Sequence, residues 1–140
     1  MKKYEFIEHT ADIIVKAYGD TLAEAFASAA DAMFDIITDR SPIATVERVT
    51  FTINAIDLEG LLVSFLSHLI VLHETQYLVL TDFQVNFNGD NRLDVSARGE
   101  KYDLDKHGRG EHVKGVSYHM MEIFDGRGEK PCYVQVLFDI

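Results

Sequence analysis

A chain of 140 residues has the length of one domain, and 47% hydrophobic with 26% charged residues, two prolines and nine glycines exclude a disordered, collagenous or low-complexity protein. Thirteen basic against twenty-three acidic residues leave a formal net charge of −10, which disfavours a nonspecific binder of nucleic acid or of an anionic membrane. The single cysteine, Cys132, excludes an internal disulfide and a CxxC metal site, and the opening Met-Lys-Lys-Tyr-Glu-Phe carries no apolar signal region, so the cytoplasm is the expected compartment.

In chain order, residues 4–7 read as a short strand. The polar tetrad His9-Thr10-Ala11-Asp12 reads as a turn before an apolar strand over residues 13–18. Leu22, Ala25, Phe26, Ala29, Met33 and Ile37 fall at the three-and-four spacing of one helical face, which predicts a helix over residues 21–38. Thr21 and Glu24 can form a capping box at its start. A strand is expected over residues 44–53. A second helix then begins at Asp57 as N-cap and carries Leu58, Leu61, Leu62, Phe65, Leu66, Leu69 and Leu72, a stripe wide enough to cover a sheet. The apolar run 61–72 would span only about 18 Å as a helix, too short for a membrane hydrocarbon core of about 30 Å. Further strands are expected over residues 77–87, 92–98, 113–124 and 132–138, with turns at Asn88-Gly89-Asp90 and Asp125-Gly126-Arg127-Gly128. The order predicts one α+β domain over residues 1–140, two helices packed on an antiparallel or mixed sheet, in which the element order could hide a duplicated unit.

Residues 98–119 stand apart in charge. Five basic residues (Arg98, Lys101, Lys106, Arg109, Lys114) meet four acidic ones, with His107, His112 and His119 beside them and Gly99, Gly108, Gly110 and Gly115 between. This reads either as a mobile, glycine-rich partner or phosphate contact or as a solvated hairpin loop.

No phosphate loop, dinucleotide fingerprint or zinc-protease helix is present in the sequence. His68 and His73 lie about 140° apart around a helix and make poor joint ligands, one facing the sheet and one water. Cys132 reads as a small core residue. Asp31, Asp35 and Asp39 recur every four residues and read as a solvated helix face. Asp12, alone, reads as a turn residue. The last strand, however, ends Leu137-Phe138-Asp139-Ile140, and if the first and last apolar strands pair in one sheet, Asp12 and Asp139 approach each other. Neighbouring carboxylates repel unless a cation neutralises them. Asp12, Asp139 and the Ile140 main chain would form an all-oxygen set suited to Ca²⁺, Mg²⁺ or Mn²⁺. In a regular strand Lys114, Val116 and Tyr118 share one face and Ser117 and His119 the other; Lys114 could hold a phosphate or acidic partner, and His119 reads as a core histidine or a proton donor.

The sequence resembles the archease family. The resemblance rests on His9-Thr10-Ala11-Asp12-Ile13, Ala17-Tyr18-Gly19 with Thr21-Leu22, Ala30 with Ala32-Met33-Phe34, and Asp57-Leu58-Glu59 with Leu61-Leu62. It continues through Gly99-Glu100, His107, Val113-Lys114 with Val116, Tyr118-His119 and Leu137-Phe138-Asp139-Ile140. It implies a duplicated strand-helix-strand-strand fold and an accessory protein, not an enzyme. The implied role is to promote guanylation of the GTP-dependent RtcB-type ligase that joins tRNA halves, so that the ligase turns over repeatedly. By the same resemblance Asp12, Asp139 and Ile140 are the metal positions, with calcium the ion expected in structures, and Lys114 is a functional contact; His119 and His9 are taken as further candidate contacts. Other classes weighed from the residues are a metal-dependent phosphoester hydrolase and a chaperone or RNA-binding adaptor that contacts tRNA through residues 98–119.

Overall fold

The computed structural model describes residues 3–9, 12–38 and 43–140, with the side chains of Glu8 and His9 outside that description. Strands β1 (Tyr4–His9) and β2 (Asp12–Gly19) precede helix α1 (Leu22–Ile37). Strand β3 (Glu47–Asn54) leads to helix α2 (Leu58–Gln76), strands β4 (Leu78–Phe87) and β5 (Arg92–Lys101) follow, and the one-turn helix α3 (Leu104–His107) leads to β6 (Gly115–Phe124) and β7 (Cys132–Asp139).

The strands form two antiparallel sheets, in the orders β1-β2-β7-β6 and β3-β5-β4, instead of the one antiparallel or mixed sheet expected. The duplication is present and interrupted. β3-α2-β4-β5 is one strand-helix-strand-strand unit in which the first strand pairs with the last. β2-α1-β6-β7 is a second unit with the same pairing, split after α1 by insertion of the first. This split brings the beginning and end of the chain side by side. Asp12 lies opposite Asp139 and Tyr18 opposite Tyr133.

Local chemistry accounts for the helices. Thr21 accepts from the Glu24 amide at 3.1 Å and Glu24 accepts from the Asp20 amide at 2.9 Å, a capping box offset by one residue on the return arm. Asp57 accepts from the Gly60 amide at 2.7 Å. α2 runs four residues past its last predicted apolar position and stops where Tyr77 takes a left-handed conformation, φ 57°. Length and composition alone would let α2 cross a membrane. It is instead packed inside the protein, with Leu61, Leu62, Phe65, Leu66, Leu69, Ile70 and Leu72 buried.

Both helices lie against the inner faces of the sheets, α1 on β2, β7 and β4 and α2 on β6, β3, β4 and β5. Phe26 sits at their junction, its ring 5.2 Å from Phe87 and 6.4 Å from Phe65. One continuous apolar cluster runs from Val15 to Phe138. Cys132 is buried in it at the end of β7, as expected of a small core residue, and its sulfur accepts from the Gly126 amide at 3.3 Å.

Residues 98–119 are folded, not a mobile loop. The Gly110 and Glu111 amides donate to the Ile37 and Ile36 carbonyls at 3.1 and 2.8 Å, closing the C-terminal end of α1. A Cβ on Gly110 would lie 2.1 Å from the Ile36 oxygen, so this glycine permits a close backbone approach. Val113 and His107 are buried.

The carboxylate row and its groove

Asp12 is the first residue of β2 and Asp139 the last of β7, and the register sets them directly opposite, with Gly115 of β6 opposite Asp139 and His9 of β1 opposite Asp12. Opposed residues on antiparallel strands put their side chains on the same face, with Cβ atoms about 4.5–5.5 Å apart. The approach of the two carboxylates inferred from the sequence is therefore a consequence of register. Asp139 is exposed and Asp12 half-buried, and Ile140, which follows, packs its side chain against the core. The Lys114 amide donates to the Asp139 carbonyl at 2.7 Å, which ties the start of β6 to the row. The Lys114 side chain is exposed and does not line the groove described next. The His9 backbone ends β1 in the row, and its side chain lies outside the described residues.

Beside the row is a groove of about 590 Å³ lined by Asp12, Asp139, Leu137, Ser117, Tyr118 and His119, together with Gly115 and Val116 of β6. It exists because β6 departs from regular pairing. Ser117 pairs with Leu137 but the next paired residue, Glu122, meets Gln135, so residues 118–121 bulge against a single position on β7. Met120 takes φ 59° within the bulge, and the Ser117 hydroxyl accepts from the His119 amide at 3.0 Å. The regular strand assumed for Lys114 through His119 thus ends at Ser117. His119 is exposed at the groove instead of lying in the core, because the bulge lifts it off the sheet.

Sequence reasoning missed the residue that holds the bulge. Gln135, 8% exposed in an otherwise apolar strand, donates to the Met120 carbonyl at 2.9 Å and to Glu122 at 3.3 Å. Its signal was available: a lone amide in Val134-Gln135-Val136-Leu137-Phe138 requires a partner once buried.

Elsewhere, His107 is fully buried. Its Nδ1 accepts from the Asp103 amide at 2.9 Å, which leaves Nε2 as the donor to Glu100 at 3.0 Å. Glu100 also accepts from Lys106 at 2.8 Å and from the Ala44 amide at 2.8 Å. Lys106, then the Ala44 amide and His107 hold the Glu100 carboxyl down to about 2. Lys106 and His107 of the basic island are thereby a structural strut. His68 lies with its ring 4.3 Å from Phe51, and burial lowers its pKa. His73 binds the Leu78 carbonyl at 2.9 Å. Both are half-buried, so neither is the water-facing histidine expected. Asp31 and Asp35 are half-buried too, so the face is only partly solvated; burial raises the Asp31 pKa against the opposing pull of Lys3 at 3.6 Å, and Asp39 lies outside the described residues.

Among the described residues, no three His, Cys, Asp or Glu side chains converge as a metal cluster. The donor set expected here has only two such side chains, its third member being the Ile140 main chain, and its oxygen chemistry fits a hard cation.

A match to the "Archease protein family (MTH1598/TM1083)" covers residues 4–140. The chain belongs to the archease family. It is 42% identical over 124 residues to the archease of Sulfurisphaera tokodaii and 43% identical over 126 residues to that of Pyrococcus furiosus, in each case across 88% of this chain and 89% of the other. The solution structure of protein 1598 of Methanobacterium thermoautotrophicum matches with a TM-score of 0.77 at 34% identity over 100% of both chains. A crystal structure from Thermotoga maritima, described as an archease and possible chaperone, shares the fold with a TM-score of 0.60 at 19% identity, over 96% of this chain and 94% of that one.

Proposed function

We propose that this archease activates the GTP-dependent RtcB-type ligase that joins tRNA halves, promoting guanylation of the ligase so that it turns over repeatedly. Family membership supports the reading, and the observation that carries it to a site is the register pairing of Asp12 with Asp139 beside the groove. In this reading Asp12, Asp139 and the Ile140 main chain hold a divalent cation, Ca²⁺ first, with Mg²⁺ or Mn²⁺ as alternatives. Bound there, the ion supplies positive charge that attracts a phosphate oxygen.

The chain's own residues do the rest. The two carboxylates hold the ion at the rim of the sheet, where a partner's nucleotide site can reach it. His119, exposed beside them, offers a ring nitrogen to a polar group of the partner, and Lys114 offers a cation to an acidic one. An activator of this kind needs no nucleophile, because positioning phosphate and metal lowers the barrier to nucleotidyl transfer. In the same reading the protein works in the cytoplasm, and any tRNA contact within residues 98–119 falls first to the exposed Arg109, since Lys101 donates to the Gln76 carbonyl at 2.8 Å, Lys106 is held by Glu100 and Arg98 pairs with Asp82 at 3.8 Å.

The test is multiple-turnover ligation of broken tRNA by the cognate ligase, with and without this protein. Stimulation of ligase guanylation is expected. Phosphoester turnover by the purified protein alone, with metal and no ligase, would instead assign a hydrolase.

A further inference from the structure

Strand alternation places Asp12, Ile14, Lys16 and Tyr18 of β2 on one face of the four-stranded sheet, opposite Asp139, Leu137, Gln135 and Tyr133 of β7. Val15 and Ala17 point the other way, into the core. At the end away from the carboxylates this face carries an aromatic row across three strands. Tyr18 lies 6.4 Å from Tyr133, and Phe124 of β6 stacks on Tyr133 at 5.4 Å. Each tyrosine hydroxyl donates to a carboxylate, Tyr18 to Glu5 and Tyr133 to Glu122, the latter at 3.0 Å. A phenol bound to a carboxylate has a more electron-rich ring, a better seat for a cation. Lys16 already occupies one such seat, its Nζ 4.2 Å from the centre of the Tyr133 ring.

We infer that this face docks an arginine- and lysine-rich segment of a partner protein, through the Asp12–Asp139 row at one end and the Tyr18–Tyr133–Phe124 row at the other, with Ile14, Leu137 and Gln135 buried between them. Charge complementarity argues for that occupant: Asp12, Asp139, Glu5 and Glu122 stand on the face against Lys16, in a chain of net charge −10. The rings add what a charged patch alone lacks, flat surfaces on which guanidinium groups stack. Glu5, Glu122 and Phe124 are exposed and available to an incoming chain. The inference rests on the activator reading in one respect only, that the docked partner would then be the ligase; the surface itself is argued from the face alone.

The probe is an oligo-arginine peptide titrated onto the purified protein and followed by NMR. Shifts concentrated at Tyr18, Tyr133 and Phe124 are expected, weakening as salt rises. Replacing Glu122 and Phe124 together, Glu122→Gln with Phe124→Ala, should weaken binding by about tenfold, since each exposed charge or ring contact contributes only modestly. Arg48→Ala on the other sheet should not weaken it. Peptide binding that ignores the Glu122/Phe124 change, or that is spread over all acidic surfaces, would overturn the proposal, and spermine binding as tightly as the peptide with the same residue dependence would overturn the assignment to a protein segment. In ligation assays the double variant should lose stimulation at low concentration and recover it at high concentration. Absence of any stimulation by the unaltered protein counts against the activator reading and leaves the peptide measurement standing.

Discussion

The two strand-helix-strand-strand units share a topology and differ on their open faces. The face of β1-β2-β7-β6 carries Asp12, Asp139, Glu5 and Glu122 with an aromatic row, whereas the face of β3-β5-β4 carries Arg48, Arg92 and Arg98 among Thr50, Thr52, Ser96 and Asn86. On the second face a shallow groove of about 450 Å³ is lined by Arg48, Thr50, Thr52, Asn86, Asp94 and Ser96. The buried faces, by contrast, are alike, filled by Val, Ile, Leu, Phe and Ala. Repetition of the unit thus constrains the core pattern and leaves the exposed positions free, which is where the chemistry diverged.

The sharpest way to break the comparison is to remove the row that the second unit lacks. Asp12→Ala and Asp139→Ala should each abolish stimulation of ligase guanylation and calcium binding by calorimetry while circular dichroism stays unchanged; full stimulation by both variants would sink the metal reading. A chelator in excess should reproduce the loss with the unaltered protein. In stability, the largest expected effect lies in the second unit: a Cβ at Gly99 would sit 1.9 Å from the Val79 carbonyl oxygen, so Gly99→Ala should destabilise by several kcal/mol, on the order of the worst core substitutions, in urea unfolding.

Next comes the Glu100 strut. Glu100→Gln should cost about 1–3 kcal/mol, the range for hydrogen bonds to a charged group, because the amide keeps one acceptor oxygen and loses the charge and the second oxygen that serve Lys106, His107 and the Ala44 amide together. Because the folded-state value of Glu100 lies at about 2, below the ordinary carboxylate value, its contribution is fully present above the unfolded value and is lost as pH falls toward 2. Unfolding curves of the parent and the Gln variant should therefore converge on acidification, and curves that stay parallel would refute the strut. The smallest effect separates the two faces again. Arg48 lies directly opposite Arg98, a repulsive cross-strand pair, so Arg48→Glu should stabilise by about 0.2–1 kcal/mol and leave stimulation of the ligase intact. Loss of stimulation would move part of the function to the second sheet.

The legible parts of the fold were those governed by periodicity and local hydrogen bonding. Thr21 and Asp57 cap the helices where the sequence placed them, and every predicted strand is present, displaced by a few residues at its ends. At the site, Asp12 and Asp139 were legible as a pair because each is an acid at the boundary of an apolar strand. His119 was not, since its exposure depends on a bulge that no spacing in residues 114–119 encodes.

By itself the sequence determined which residues are apolar at which period, hence the two long helices, the strands and the acids available at either end, because these follow from side-chain partition and caps acting over a few residues. Only the tertiary structure decided that there are two sheets, that one unit is inserted in the other, and that residues 108–113 close the end of α1 instead of forming a free loop. Those outcomes depend on pairings between segments as many as about 130 residues apart. Strand partners so distant in sequence are selected by the packing of the whole core, a property that no local window contains.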